Sequence, residues 1–338
     1  MAPRAFISGL SGLTLTADER VFLREARPWG LILFKRNIED KFQVTDLIGE
    51  ALHELGGEAP VLVDQEGGRV QRLGPPHWPA YPPGAAYGRI YDRDPDAGLA
   101  AARLGARLIA ADLIELGINV DCLPLADVPV AGADRVIGDR AYGDTPGKVA
   151  AIAGAVAAGL ADGGVLPVLK HIPGHGRANA DSHLKLPVVH ADRATLEATD
   201  FAAFRPLKRL PLAMTAHVVF TAIDPVRPAT TSATMIGEVI RGLIGFDGLL
   251  MGDDISMGAL SGSIAERARA SLAAGCDLVL HCNGKMDEMR AVAAEAPELA
   301  GETKRRADAA LAVRKSPSGI DLAAARREFA AMMTERMA

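Results

Sequence analysis

The sequence predicts an α/β fold in which one domain, residues 1–338, forms a (β/α)8 barrel, the TIM-barrel architecture. Short apolar runs alternate with longer, alanine-rich stretches of helical spacing, a pattern typical of strand–helix units repeated around a parallel sheet. Eight such units in 338 residues suit a closed barrel better than an open doubly wound sheet. No Gly-x-Gly-x-x-Gly or Walker sequence follows an early strand, which weakens the nucleotide-binding alternative.

The predicted elements follow one another in regular order along the chain. Strands are expected at 5–8, 31–34, 60–63, 119–122, 165–169, 212–215, 248–251 and 277–281. Helices are expected at 17–26, 41–55, 95–116, 148–161, 193–207, 232–243, 262–274 and 285–294. Thr16 and the pair Thr231-Ser232 supply N-cap side chains, and Gly117, Gly163 and Gly275 lie where helices should end.

Two segments lie outside this alternation. The proline-rich stretch at 75–83 is interpreted as a long surface loop after the third strand, because a domain boundary there would leave too few elements before it to close a core. The stretch at 302–338 is expected to form a helical tail that packs outside the barrel. The strand–helix pattern resumes after the proline-rich loop without a change of composition, so one domain is expected.

Composition narrows the classes of partner. The net charge is −5 and basic residues form no tract, so neither a nucleic-acid nor a membrane-surface partner is indicated. The N-terminus lacks a long apolar segment typical of secretion signals, and the least polar stretch, 149–161, is shorter than the ~20 residues that span a bilayer. We therefore expect a soluble protein that acts on a small molecule, with no obligate protein partner evident.

The three cysteines indicate a reducing environment. Cys122, Cys276 and Cys282 are odd in number, lie in apolar settings and lack the paired spacing of metal ligands, so buried free thiols are expected. This favours a cytoplasmic location. Neither a cofactor nor a bound metal is predicted from these residues.

Unusual polar residues occur at or just after the ends of the predicted strands. They are Asp64, Asp121, Asp127, Lys170, His171, His217, Asp253, Asp254 and Asn283. In a parallel barrel the C-terminal strand ends converge on one face, and catalytic groups of such barrels lie there. The sequence therefore predicts one polar site at this face.

Asp253 and Asp254 follow the seventh predicted strand. A carboxylate at that position, in a partly desolvated pocket, is suited to attack an electrophilic carbon and to carry it as an ester. An N-cap role for the next helix explains either aspartate equally well. One of the pair can cap while the other reacts, and the local sequence does not separate them.

The segment from Lys170 to His183 carries three histidines, a lysine, an arginine and an aspartate in fourteen residues. Asp181 precedes His183 by two positions, so an extended backbone would let the carboxylate hold one ring nitrogen while the other acts as acid and base. The alternative is a hydrogen bond that only stabilises the loop. The crowding of polar side chains favours the chemical interpretation.

Asp64 and Arg72 form a second polar group beside Gly67 and Gly68. Carboxylate and guanidinium together bind sugar hydroxyls well, because one accepts hydrogen bonds and the other donates them in a fixed fork. A structural salt bridge explains this pair too. Arg140, on the loop after the fourth strand, is a similar candidate.

Five motifs in this order resemble glycoside hydrolase family 3, and within it the bacterial cytoplasmic β-N-acetylhexosaminidases of cell-wall recycling. They are Asp-Gln-Glu-Gly-Gly-Arg-Val-Gln-Arg at 64–72, Ile-Gly-Asp-Arg-Ala-Tyr-Gly at 137–143, Lys-His-Ile-Pro-Gly-His-Gly with Asp-Ser-His at 170–183, Met-Thr-Ala-His-Val at 214–218 and Gly-Asp-Asp-Ile-Ser-Met at 252–257. The 170–183 motif is the most specific of them, and the match covers about residues 5–285.

This resemblance implies a retaining hydrolase that removes a terminal, non-reducing N-acetylglucosamine from muropeptide fragments through a covalent intermediate. It implies Asp253 as nucleophile and His183, paired with Asp181, as acid/base. The positions that it implies for sugar binding or the pocket wall are Asp64, Arg72, Arg140, Lys170, His171, His217 and Met257. Two departures are Ile172 in place of phenylalanine and Gly252 in place of serine, which leaves out a hydroxyl next to the nucleophile.

Several other interpretations stay open at this stage. A metal-dependent hydrolase on the same barrel could use His171, His217 and Asp253 as a cation cage. Within sugar chemistry, the substrate acetamido group could attack in place of a protein nucleophile. Phosphate could replace water, or the sugar specificity could differ. A sugar-binding module with an inactive site is the non-enzymatic alternative.

Overall fold

The computed structural model describes residues 2–335 and contains eight parallel strands that surround a common axis. The strands are β1 (Arg4–Gly9), β2 (Pro28–Leu33), β3 (Val61–Val63), β4 (Val120–Asp121), β5 (Leu166–Ile172), β6 (Leu212–Thr215), β7 (Leu249–Met251) and β8 (Val279–His281). Apart from polar residues near their ends, such as Arg4, Asp121 and Lys170, the strands are mostly apolar, as expected for strands covered on both faces. The predicted (β/α)8 barrel is thereby confirmed.

The strands pair in sequence order, and β1 also pairs with β8. Between β7 and β8 the connection consists of one bridge, Met251 to Leu278, and of backbone hydrogen bonds such as Gly252 N–H to Leu278 O at 3.1 Å. The sheet is therefore nearly closed. All eight carboxyl ends point to the same face, which brings the residues after each strand together.

Two apolar layers hold the barrel. Side chains that point inward, such as Ile7, Leu62, Val168 and Met251, form a small interior cluster. A larger cluster fills the space between the strands and the surrounding helices. Inward and outward residues alternate along each strand, which explains the two clusters.

Helices follow the strands on the outside of the barrel. They are α1 (Ala17–Ala26), α2 (Lys41–Leu55), α3 (Gly84–Arg93), α4 (Pro95–Ile114), α5 (Pro146–Asp162), α6 (Arg193–Ala198), a π-helix (Met235–Ile244), α7 (Ile264–Ala274), α8 (Met286–Glu295), α9 (Gly301–Ala312) and α10 (Leu322–Glu335). Thr16 caps α1 reciprocally with Glu19, and Gly275 ends α7 with a positive φ of 110°. In the described part of the chain, none of the helices has both the length and the apolar character needed to cross a membrane.

The structure differs from the prediction at two helices. Helix α3 lies in a stretch for which the sequence predicted no helix, since Gly84 and Gly88 weaken the helical signal. At both positions an added Cβ would come within about 2 Å of a backbone oxygen, of Arg140 and Tyr142 respectively, so the glycines allow α3 to approach the loop that carries Arg140.

The continuous helix predicted at 193–207 is wrong. Helix α6 ends at Ala198, and two short 3₁₀ turns follow at Phe201–Ala203 and Arg205–Leu207. Pro206 explains only the second turn, because proline has no N–H to continue an α-helix and clashes with the preceding turn. The earlier end at Ala198 falls where Thr199 and Asp200 accept hydrogen bonds from Arg177. The alanine-rich pattern hid this break.

The last two helices cover two parts of the barrel. Ala307 and Ala310 of α9 belong to the interior cluster, and Arg306 pairs with Asp277 at 3.1 Å, so α9 closes the end opposite the strands' carboxyl ends. Helix α10 packs on α4, where Arg326 pairs with Asp112 at 2.6 Å. Met1 and residues 336–338, which the predicted single domain and tail include, lie outside the described residues.

Candidate active site

A cavity of about 290 Å³ opens at the carboxyl ends of the strands. Nine of the ten predicted site residues line it: Asp64, Arg72, Arg140, Lys170, His171, Asp181, His183, Asp253 and Met257. The tenth, His217, lies behind the cavity wall. The carboxylate after β7 and the imidazole of the loop after β5 therefore open into one common space.

Five charged side chains form a continuous chain of ion pairs along the cavity. Arg72 Nη2 donates to Asp64 Oδ2 at 2.9 Å, and Lys170 Nζ donates to Asp64 Oδ1 at 2.9 Å. Lys170 Nζ also lies 2.6 Å from Glu66 Oε1. Arg140 donates two parallel hydrogen bonds to the Glu66 carboxylate, at 2.8 and 2.9 Å. The order of charges alternates, so each carboxylate lies between two cations.

Burial and these neighbours fix the protonation of the chain. Burial alone would raise the pKa of Asp64, but the charges of Lys170 and Arg72 hold it well below the ordinary value. Burial likewise opposes ionisation of Glu66, and Lys170 and Arg140 lower its pKa. Conversely, Asp64 and Glu66 raise the pKa of Lys170 despite burial. Asp64, Glu66, Lys170 and Arg140 are therefore charged near neutral pH.

The carboxylate of Asp127 holds two histidines of the site, His171 and His175. Its Oδ2 lies 2.7 Å from His171 Nδ1, and its Oδ1 accepts the backbone N–H of His175 at 2.6 Å. Asp127 is fully buried, and the imidazoles of His171 and His175 lower its pKa against the effect of burial. The carboxylate thus holds a proton on His171 Nδ1 and directs the opposite ring nitrogen away from it.

The two aspartates after β7 differ in their contacts. Asp254 accepts hydrogen bonds from Ser256 N–H at 3.0 Å, from Ser256 Oγ at 2.6 Å and from Cys282 N–H at 3.1 Å, so its carboxylate holds the turn together. Asp253 accepts only the N–H of Asp254, at 2.8 Å, among the described residues. Asp253 therefore keeps an oxygen available for a ligand.

The half-buried Asp253 is ionised near neutral pH. Burial raises its pKa, but the imidazoles of His217 and His171 and the Asp254 N–H outweigh that effect, and the pKa lies below the ordinary carboxyl value. A carboxylate that is charged, partly desolvated and only partly hydrogen-bonded is suited to act as a nucleophile.

His217 supports the segment after β7 and has no free ring nitrogen. Its Nδ1 lies 2.7 Å from Thr230 Oγ1, and its Nε2 lies 3.0 Å from the carbonyl oxygen of Asp254. Because a carbonyl only accepts, Nε2 carries the proton, and Thr230 donates to Nδ1 when the ring is neutral. Burial lowers the pKa of His217, and the charge of Asp253 opposes this effect without outweighing it.

The loop at 173–187, called the His183 loop below, connects β5 to a short strand at Val188–Val189. Asp181 Oδ1 lies 2.7 Å from His183 Nδ1 and also accepts the His183 backbone N–H at 2.9 Å. The His183 side chain is 65% exposed, and its Nε2 has no partner among the described residues. The aspartate therefore holds Nδ1–H and leaves Nε2 for proton transfer.

The sequence missed one charged residue of the site and gave no role to another. Glu66 lies in the 64–72 motif, where its position next to the two glycines gave no sign that it pairs with Arg140. Asp127 was noted because it follows the fourth strand, but the sequence gave no sign that it holds His171 and His175. Phe34, after β2, lines the cavity with its ring 5.0 Å from the Arg72 guanidinium carbon.

No group of three or more His, Cys, Asp or Glu side chains within residues 2–335 is arranged to hold a metal ion. Of the cage of His171, His217 and Asp253 considered from the sequence, His217 has no ring nitrogen left for a cation, because Nδ1 lies against Thr230 Oγ1 and Nε2 against the Asp254 carbonyl oxygen. The three cysteines are free and buried, as expected from the sequence.

The cavity wall therefore holds alternating acceptors and donors together with a carboxylate and an imidazole. Alternating carboxylates and cations suit a ligand with several hydroxyl groups. A nucleophilic carboxylate beside a proton-transferring imidazole suits displacement at an acetal carbon.

Known proteins are similar to this chain in sequence. Residues 11–313 match the glycosyl hydrolase family 3 N-terminal domain. A β-hexosaminidase of Alkalilimnicola ehrlichii is 44% identical over 283 residues, 81% of this chain and 79% of the relative. A β-hexosaminidase of Aromatoleum aromaticum is 37% identical over 317 residues, 92% of this chain and 87% of the relative.

Solved structures agree with the sequence relatives. NagZ from Neisseria gonorrhoeae, solved in complex with N-trifluoroacetyl-D-glucosamine, is 32% identical with a TM-score of 0.87, and the match covers 99% of both chains. A family 3 β-N-acetylglucosaminidase from Paenibacillus sp. is 30% identical with a TM-score of 0.79, over 98% of this chain and 61% of that one. The resemblance inferred from the five motifs is confirmed. The chain therefore belongs to glycosyl hydrolase family 3, within which it resembles the bacterial β-hexosaminidases.

Proposed function

We propose that this chain is a retaining β-N-acetylhexosaminidase that hydrolyses terminal β-linked N-acetylglucosamine. The observation that carries the proposal is the shared cavity of Asp253 and His183, where the carboxylate has one hydrogen-bond donor and His183 Nε2 has none among the described residues. The relatives named β-hexosaminidase or N-acetylglucosaminidase support the sugar specificity.

The proposed reaction has two steps. Protonated His183 gives the Nε2 proton to the leaving oxygen while an oxygen of Asp253 bonds to the anomeric carbon, so the glycosidic bond breaks and an ester forms. Neutral His183 then takes a proton from water, and the water oxygen displaces Asp253 and releases the sugar. Asp181 keeps Nδ1–H in place throughout. The distance between two catalytic carboxylates, which distinguishes retaining from inverting glycosidases, cannot be used here because the proposed acid is an imidazole.

The remaining predicted residues are proposed to bind the sugar. Asp64 and Lys170 offer an acceptor and a donor, and Arg72, Arg140, His171 and Met257 complete the pocket. Each Asp64 oxygen accepts one hydrogen bond from a protein cation and keeps a lone pair for a sugar hydroxyl. His217 is proposed to act from behind, through the Asp254 carbonyl.

Muropeptide fragments are the proposed natural substrates, and a cytoplasmic location of the enzyme is proposed with them. The motif resemblance and the three buried free thiols support this pair of proposals. We also propose that residues 1–338 form one domain, since α9 and α10 both pack on the barrel. Cell fractionation with immunodetection tests the location.

The activity is tested with chromogenic glycosides. The protein should turn over an aryl β-N-acetylglucosaminide and leave the matching β-glucoside nearly untouched, because the proposed specificity depends on the acetamido group. Equal rates on the two would contradict the specificity. Product analysis in phosphate buffer should give free N-acetylglucosamine, and a sugar phosphate would contradict hydrolysis.

The nucleophile is tested by trapping. A 5-fluoro analogue of the sugar should label the peptide that contains Asp253, as measured by mass spectrometry of a digest. Asp253→Ala should fold like the parent by circular dichroism and should take up no label. A label elsewhere, or turnover by Asp253→Ala, would contradict the covalent role, and absence of any label in an active parent would favour attack by the acetamido group.

A further inference from the structure

The segment that follows Asp253 contacts the His183 loop directly. Gly258 N–H donates to the backbone oxygen of His183 at 3.1 Å, and Ala259 N–H donates to that of Ser182 at 3.1 Å. The segment at 252–262, called the Asp253 segment below, therefore holds the backbone of the proposed acid/base. These two bonds connect the strand end of Asp253 to the loop of His183.

Gly258 lies where this contact is tightest. A Cβ added there would lie 2.9 Å from the backbone oxygens of both His183 and Leu184, and 3.2 Å from the carbonyl carbon of Leu184. Backbone atoms at such distances have to move, because they cannot rotate away as a side-chain tip can. Gly258 is not among the glycines with positive φ, so alanine fits the backbone and the contact alone decides the effect.

The far side of the Asp253 segment is anchored to α7. Arg267 Nη1 donates to the backbone oxygens of Ile255 at 2.8 Å and Met257 at 3.1 Å, and Arg267 Nε donates to that of Gly262 at 3.0 Å. The segment cannot easily yield toward α7 because these three carbonyls are held. A side chain at position 258 would therefore displace the His183 loop instead.

We propose that Gly258 is a positioning residue that fixes His183 over the cavity through the two backbone hydrogen bonds from the Asp253 segment. The inference rests on the proposed acid/base role of His183. It assigns to the glycine a role in proton transfer and no contact with the sugar.

The test compares two substrates on Gly258→Ala. Phenyl β-N-acetylglucosaminide has a poor leaving group that needs a proton from the acid, whereas the 2,4-dinitrophenyl glycoside has a good leaving group that needs none. If Gly258→Ala displaces His183, kcat/KM for the phenyl substrate should fall at least about tenfold, and that for the dinitrophenyl substrate less than about threefold. A loss that is equal on both substrates would overturn the proposal, and so would no loss on either.

Two controls separate this proposal from the proposed function. His183→Ala should show the same selectivity between the substrates in stronger form. If His183→Ala loses activity equally on both, the acid role itself fails and not the positioning by Gly258. Gly49→Ala makes the same chemical change on α2, where an added Cβ meets nothing within 4 Å, and should leave both rates unchanged.

A second variant keeps the test valid if Gly258→Ala folds poorly. Arg267→Gln releases the Asp253 segment from α7 without adding an atom beside the loop. It should lower kcat/KM for the phenyl substrate more than for the dinitrophenyl one, and hydrogen exchange of residues 180–185 should become faster. Unchanged exchange together with an equal loss on both substrates would contradict the coupling of segment and loop.

Discussion

At the scale of single residues, the alternating chain from Arg72 to Arg140 explains how five charges share one small cavity. Glu66 is 4% exposed and Arg140 is 9% exposed, so neither side chain has much water around it. Each is stabilised by its partner, and the loss of one leaves the other buried without its countercharge.

We expect Glu66→Gln to lower the free energy of unfolding by about 3 kcal/mol, since it removes the countercharge of buried Arg140 and Lys170. Urea denaturation followed by fluorescence measures this. The matched control is Asp139→Asn, which breaks the exposed pair with Arg69 at 3.1 Å and should cost less than about 1 kcal/mol. Equal costs for the two variants would contradict the account.

Buried His175 predicts a pH dependence of stability. Burial, with the charge of His171, lowers the pKa of His175 to about 4. The unfolded chain takes up a proton near pH 6.5, so between there and pH 4 the unfolded state binds more protons than the folded one. Stability therefore decreases as the pH falls through this window.

We expect this single group to remove about 2 kcal/mol of stability between pH 7 and pH 5. His175→Gln can still hydrogen-bond to Ser182 Oγ, now 2.9 Å from His175 Nε2, but cannot titrate. Its unfolding free energy should therefore change less between the two pH values than that of the parent. Parallel pH profiles for the two proteins would count against the role of His175.

The positions of polar residues in the sequence predicted which side chains share the cavity, but not how the two aspartates after β7 differ. Position at strand ends selected Asp253, Lys170 and His171 correctly for one cavity, since parallel strands place their ends together. It did not distinguish Asp253 from Asp254, because the difference lies in the donors from Ser256 and Cys282, which meet Asp254 only in the fold.

At the scale of elements, close approach between helices depends on residues that lower helix propensity. Helices α4 and α5 make the most extensive contact between any two elements. An added Cβ at Gly159 of α5 would lie 2.2 Å from the backbone oxygen of Arg103 on α4. Alanine there forces the helices apart.

Gly159→Ala is expected to destabilise the protein by about 2 kcal/mol, because overpacking outweighs the gain in helix propensity. Gly49→Ala should instead stabilise it by about 0.5 kcal/mol, because the same change meets open space. Thermal unfolding of both variants measures the two effects. A stabilised Gly159→Ala would show that the helices can separate without loss.

Helix prediction failed where tertiary contacts override local pattern. Helix α3 contains two glycines whose value lies in contacts with the loop at 140–142, far along the chain. Helix α6 ends early, where Thr199 and Asp200 bond to Arg177 of the His183 loop at 3.0 and 2.9 Å. The hydrophobic periodicity of a short stretch of sequence cannot predict either contact, because the partners lie far away along the chain.

At the scale of the whole molecule, α10 joins the tail to the barrel through Phe329. Its ring lies 6.4 Å from those of Tyr81 and Tyr87, measured between centroids. Phe329 is 9% exposed, whereas Phe42 on α2 is 85% exposed. Replacing each phenylalanine by alanine therefore compares the same substitution at a buried and at an exposed position.

Phe329→Ala should lower the unfolding free energy by about 3 kcal/mol, and Phe42→Ala by less than about 0.5 kcal/mol. If the tail and barrel are one domain, Phe329→Ala should shift one cooperative urea transition without splitting it. Two separate transitions, in the parent or in the variant, would contradict the proposed single domain.

The alternation of eight strands and eight helices sufficed to predict the barrel, because each unit covers its neighbour in a fixed order. The contact of the tail could not be predicted in the same way. In the sequence, Ala307 and Ala310 indicate only an ordinary helix. The apolar surface that they cover is formed by the side chains inside the barrel and exists only in the folded protein.

The two ends of the cavity differ in access, since Lys170 is 2% exposed and His183 is 65% exposed. A competitive inhibitor that occupies the sugar position would meet buried side chains at Lys170. Bulky substituents, fluorophores or linkers should be tolerated better where they leave past His183 than where they point toward Lys170. Inhibitors substituted on the His183 side should therefore keep more of their affinity than inhibitors substituted on the Lys170 side.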